Sequence, residues 1–188
     1  METRKIARAV ILVAMGVAIS PFTSIPIGIA RINPAQHFVN VVGAVMLGPG
    51  WAAGIALIIG ILRNAFGMGT VLAFPGGMIG AFLAGYAYRY TRSIYFGALG
   101  EILGTGLLGS VTSALIVAPV FMHRTMALGA IILSFSGATI LGSIIALFAL
   151  KLLERAGFAP PDRSWRPGKD GKATTSRLAA ESVRRPES

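Results

Sequence analysis

Asn33-Pro34-Ala35-Gln36-His37-Phe38-Val39-Asn40 opens an apolar segment with four neutral polar side chains, Asn33, Gln36, His37 and Asn40. Apolar runs of membrane grade lie on both sides of it. A polar group left without a partner in hydrocarbon costs several kcal/mol. Four of them on one helix therefore imply a buried polar pocket or a water-facing mouth, and both point to small-molecule binding inside a membrane protein.

Composition supports the membrane setting. Of 188 residues, 54% are apolar and only 13% are charged, and mean hydropathy is +0.72. Soluble domains carry about 25% charged residues. The basic start (Arg4, Lys5, Arg8) and the run from Ala9 to Ile19 would suit a cleaved signal peptide, but no polar mature domain comes after it. With no cysteine there is no disulfide, thiolate metal site or cysteine nucleophile. The net charge of +10 sits mostly in the first eight residues and after Leu150. Basic residues beside apolar spans are topology signals and anionic-lipid contacts, so no nucleic-acid partner is expected.

The pattern predicts an all-α integral membrane protein with six apolar segments, at roughly 5–20, 34–47, 51–64, 75–91, 95–118 and 127–152. If the first starts inside, only Arg31, Arg63 and Arg124 of the 17 Lys and Arg residues fall outside. The positive-inside rule is then met with both termini cytoplasmic. Segments two and three have about 14 residues each, or about 21 Å as helices, against a hydrocarbon core of about 30 Å. Gly48-Pro49-Gly50 joins them in a tight turn, and Asn33-Pro34 is a cap and first-turn pair for segment two. Two short helices leave space above their outer ends. The apolar run of residues 21–31, with Pro21 and Pro26, is expected to fill it as an outer lid loop; the alternative is that segment one continues past a proline kink. The membrane domain is expected over residues 1–155. Residues 156–188, with Pro160-Pro161 and mixed charge, read as a basic, disordered cytoplasmic tail.

Sorted by depth, polar residues from five segments meet in the outer half. Gln36 and Asn40, and Asn33 and His37, stack at i,i+4. Arg63 and Asn64 close segment three, Phe74 opens segment four, and Ser113 and Ser136 lie on segments five and six. Phe22, Phe38, Phe66 and Phe74 share this level and could sandwich a planar ring. Arg63 either snorkels to headgroups or meets the ligand. Glu101 is the sole acid between Glu2 and Glu154; it either reaches water beside Arg89 or Arg92, or hydrogen-bonds inside the bundle in a functional role. The substrate-binding set is thus Asn33, Gln36, His37, Asn40, Arg63, Asn64, Phe74, Ser113, Ser136 and Glu101.

Other signals are discounted. Gly104-Thr105-Gly106-Leu107-Leu108-Gly109 matches the dinucleotide fingerprint by letter, but it lies inside an apolar helix with no acid until Glu154. Its glycines are expected to make a smooth surface for close helix packing. A serine-histidine pair without a nucleophile elbow, and a single acid in the membrane part, do not make an enzyme. No cofactor or metal is expected.

The run Ile32-Asn33-Pro34-Ala35-Gln36-His37-Phe38-Val39-Asn40-Val41-Val42-Gly43 resembles the ThiW family, together with Leu47-Gly48-Pro49-Gly50-Trp51, Arg63-Asn64, Phe74-Pro75-Gly76-Gly77 and Gly100-Glu101-Ile102-Leu103-Gly104-Thr105-Gly106. That family comprises substrate-binding (S) components of energy-coupling-factor (ECF) vitamin transporters in prokaryotic cell membranes. The resemblance covers about residues 5–150. It implies a six-helix S-component bundle, a thiamin precursor as ligand (hydroxyethylthiazole), and partnership with a transmembrane T component and two ATPases. It also implies that Ala14 and Ala18 contact the T component. A stand-alone carrier or channel would use the same polar mouth, and an intramembrane enzyme is the remaining rival.

Overall fold

The computed structural model describes residues 2–27 and 30–157. Six helices account for nearly all of them: α1 (Glu2–Thr23), α2 (Pro34–Leu47), α3 (Pro49–Ala65), α4 (Ala73–Thr91), α5 (Ile94–Met122) and α6 (Leu128–Arg155). A two-stranded hairpin, β1 (Ile25–Ile27) and β2 (Ala30–Ile32), lies between α1 and α2. Helices α1, α5 and α6 are long and apolar enough to cross a membrane, and α3 is a shorter apolar helix. From residue 158 onward the expected tail lies outside the described residues.

The region of residues 21–31 differs from an irregular loop. Helix α1 runs through Pro21 and ends at Thr23. Pro21 sits so near the helix end that it forfeits one terminal backbone bond rather than breaking a ladder. Ser20 and Thr23 add side-chain bonds to Gly16 O (2.6 Å) and Ile19 O (3.2 Å). Beyond Thr23 the chain pairs as antiparallel β structure, with Ile25 opposite Ile32 and Pro26 opposite Arg31. A two-stranded ribbon is all edge, so a proline without N–H is tolerated in it.

Asn33 caps α2 as expected: its backbone is extended (φ −144°, ψ 99°) and its side chain accepts from Gln36 N at 3.4 Å. The connection to α3 is tighter than the expected three-residue turn. Gly48 alone joins the two helices, and Pro49 and Gly50 already belong to α3, where proline at the first position needs no N–H partner. Gly48 has φ +90° and ψ 176°, a region open to glycine only. Gly48→Ala is expected to cost about 1–3 kcal/mol, measured as a lower thermal midpoint in detergent, although no atom crowds the site.

Helix α2 is the bundle's axis. Its buried residues run from Pro34 to Val45 with only Phe38 omitted, because α1, α3, α4 and α6 surround it. Its polar side chains therefore meet protein rather than lipid. Helices α4 and α5 approach to backbone contact. A Cβ on Gly104 would lie 2.6 Å from Gly80 Cα, and one on Gly100 would lie 2.7 Å from Leu83 O. The glycine-rich run on α5 is thus a packing seam. Part of that run, Ile102–Gly109, winds as π-helix, a geometry common at functional sites.

Candidate functional site

The polar residues of α2 converge with α3, α4 and α5 in one buried network. Glu101 is wholly buried, and its Oε1 lies 2.8 Å from His37 Nδ1. The same oxygen accepts from Asn40 Nδ2 at 2.9 Å. The single proton of the Thr105 hydroxyl is shared between Glu101 Oε1 (3.0 Å) and Gly76 O (2.9 Å). Asn40 Nδ2 also reaches Gly77 O at 3.2 Å. A carboxyl buried this deeply is tolerable because three neighbours can donate to one oxygen.

This corrects the expectation that Glu101 finds water beside Arg89 or Arg92. Helix α5 begins at Ile94, so Glu101 stands about 10 Å above that end, level with Asn40 rather than with the arginines. Arg63 is a second correction. It does not snorkel: it is 1% exposed, and its guanidinium donates to Gln36 Oε1 and to Met68 O (3.2 Å).

A third group lies nearer the hairpin. Asn33 Oδ1 accepts from Thr23 Oγ1 at 2.8 Å, and Asn33 Nδ2 donates to Ser20 O at 3.3 Å, a carbonyl left over at the end of α1. Ser24 Oγ donates to Met68 O (3.3 Å), and Arg31 Nη1 donates to Gly67 O (2.7 Å). The hairpin is thereby tied down onto the α3–α4 connection.

A cavity of about 20 Å³ opens among these groups, lined by residues that include Asn33, Gln36, His37, Arg63, Thr105 and Phe135. Glu101 and Asn40 stand behind that lining and hold His37 and Thr105 in place. Among the described residues, Glu101 Oε2, Asn40 Oδ1 and Arg63 Nε are buried without a hydrogen-bond partner. The remaining sequence candidates are spent elsewhere. Asn64 Nδ2 donates to Gly60 O (2.9 Å) and Thr70 O (3.4 Å), Ser113 to Leu72 O (2.7 Å) and Ser136 to Gly106 O (3.4 Å). The Phe74 ring lies over Gly60 of α3.

The expected aromatic sandwich is not assembled, since Phe22 and Phe66 point outward at 88% and 63% exposure. The ring on the cavity is Phe135, which an apolar helix gave no reason to single out. Thr105 was hidden in the glycine run; its signal was a hydroxyl one turn from the lone acid. Ala14 and Ala18 are exposed on α1 and line an 820 Å³ apolar groove between α1 and α3.

The apolar helical bundle thus encloses a small polar cavity bordered by Arg31 and Ile32 of β2. The fold is that of a solved chain described as "Structure and mechanism of the S component of a bacterial ECF transporter". The two share 17% identity with a TM-score of 0.68, over 82% of this chain and 98% of that one. Residues 6–156 match the family described as Thiamine-precursor transporter protein (ThiW), and the chain belongs to that family. It is a multi-pass membrane transport protein with an S-component fold and not an enzyme. No curated protein matches the chain.

Proposed function

We propose that the chain is the substrate-binding component of an ECF importer in a prokaryotic cell membrane, crossing it six times with both termini cytoplasmic, and that it captures hydroxyethylthiazole under the β1–β2 hairpin. The observation that carries this is the buried network of Arg63, Gln36, His37, Asn40, Thr105 and Glu101, where unpartnered acceptors and an unpartnered donor lie within one cluster. An uncharged ligand with a hydroxyl and a ring nitrogen offers one donor and two acceptors, which suits the amide, imidazole, hydroxyl and guanidinium groups that Asn33, Gln36, His37, Thr105 and Arg63 bring to the cavity. Asn33, Gln36, His37, Arg63 and Thr105 contact it, with Phe135 against the ring; Asn40 and Glu101 act from behind. Asn64, Phe74, Ser113 and Ser136 support the walls.

The 20 Å³ cavity holds about one water. Binding therefore moves the hairpin or the side chains beneath it. On the inner side of the cycle, a T component docks along the α1–α3 groove at Ala14 and Ala18, and two ATPases drive release.

Calorimetry with purified protein tests the ligand: hydroxyethylthiazole should bind, with thiamin and the pyrimidine precursor as weaker controls. Tight binding of another vitamin without thiazole binding would sink the ligand assignment. His37→Ala and Asn40→Ala should each weaken binding by about 1–3 kcal/mol through a lost hydrogen bond in a buried site. Unchanged affinity in both places the pocket elsewhere.

A further inference from the structure

The neighbours of His37 fix which of its two ring nitrogens carries the proton. Gly77 O can only accept, so the Asn40 side-chain atom 3.2 Å from it is the amide nitrogen. The second hydrogen of that nitrogen goes to Glu101 Oε1 at 2.9 Å. Oε1 is thus an acceptor, and it lies 2.8 Å from His37 Nδ1. Imidazole is more basic than a carboxylate, so the proton between the two belongs to Nδ1. Arg63 and Glu101 already place one cationic and one acidic side chain in the buried cluster. A doubly protonated ring would add a third buried charge, and Glu101 is the sole acid between Glu2 and Glu154. The neutral ring has a single N–H, so Nε2 is left with a lone pair.

That lone pair bears on recognition. His37 lines the cavity and Glu101 does not. Nδ1 is therefore spent on the support behind the wall, and Nε2 is the ring nitrogen left for a ligand. No described residue hydrogen-bonds it. Two other groups on the cavity have the opposite polarity. Arg63 donates only, and its buried Nε has no partner. Gln36 Oε1 is taken by the Arg63 guanidinium, which leaves Gln36 to offer its NH2 group. The cavity sets donors on one side against an acceptor on the other.

We propose that Glu101 is a positioning residue that holds the His37 proton on Nδ1, so that Nε2 accepts the ligand's hydroxyl hydrogen while Arg63 and Gln36 donate to its ring nitrogen. Such a site selects an alcohol over the matching ether. The ligand half of this rests on hydroxyethylthiazole capture; the tautomer half does not.

The test uses the full chain in detergent with isotope-labelled histidine, read by nitrogen NMR at about pH 8, where an ordinary imidazole is neutral. The chain has two histidines, and His123→Gln assigns the His37 signals. Nδ1 should resonate as a protonated nitrogen and Nε2 as a bare one. Glu101→Gln should keep this pattern, because Asn40 still calls for an oxygen at that place, and Glu101→Ala should move the proton at least partly to Nε2. Hydroxyethylthiazole should shift the Nε2 signal toward the protonated range. Its O-methyl ether has no hydrogen to give; it should leave that signal in place and bind roughly tenfold or more weakly by calorimetry. A proton on Nε2 in the wild type, a doubly protonated ring, an unchanged tautomer in Glu101→Ala, or equal affinity for alcohol and ether overturns the proposal. If neither compound binds, the ligand reading falls, and the spectra by themselves uphold or overturn the tautomer.

Discussion

Glu101→Ala should remove measurable hydroxyethylthiazole binding and lower stability by at least about 1–3 kcal/mol, the cost of leaving a buried hydrogen-bonding group without its partner. Oε1 of Glu101 is the shared acceptor for His37, Asn40 and Thr105. Without it, three buried donors lose a partner together and the two that line the cavity lose their orientation. Glu101→Gln keeps an acceptor oxygen and nearly the same volume, so it should fold and retain part of the affinity. Chemical melts and calorimetry on both variants check this. An alanine variant that melts and binds like the wild type would show that the carboxyl has no part in the site.

Gly80→Ala is the second large effect. A Cβ at this position would overlap the Thr105 hydroxyl and come within 2.7 Å of Glu101 Oε2. Both neighbours are wholly or almost wholly buried and neither can swing into solvent, so α4 must retreat from α5. Overpacking of this kind costs about 1–3 kcal/mol, and here it also displaces the pair that positions His37. The expected result is a lower melting midpoint together with at least about a tenfold loss of affinity. Gly137→Ala meets nothing within 4 Å and should be silent by both measures. Equal behaviour of the two variants would mean that the α4–α5 seam is softer than its backbone contacts indicate.

Local signals made much of the architecture readable before any coordinates. Asn33-Pro34 marks the start of α2 and Gly48 its end, because a cap and a positive φ are properties of single residues. The glycine run on α5 was legible as packing because a dinucleotide loop needs a strand just before it and an acid about twenty residues after it, and this run sits inside an apolar helix with no acid until Glu154. The features that stayed hidden depend on registry between helices far apart in sequence. Glu101 meets His37 across 64 positions, and only the depth at which α5 starts relative to α2 brings them level. Arg63 was ambiguous for the same reason. A terminal arginine reaches headgroups unless a neighbouring carbonyl is closer, and Met68 O comes from a loop with no sequence signature. Phe135 was invisible because an apolar ring on an apolar helix is ordinary in composition, and Thr105, one turn from Glu101, was masked by the glycines around it.

Met68 O accepts from both Ser24 Oγ of the hairpin side and Arg63 Nη2 of the cavity wall. One carbonyl thus serves as latch for the cover and as brace for the guanidinium below it. The chain leading into the hairpin and the cavity wall are linked through a single acceptor, so a shift of Met68 is felt by both.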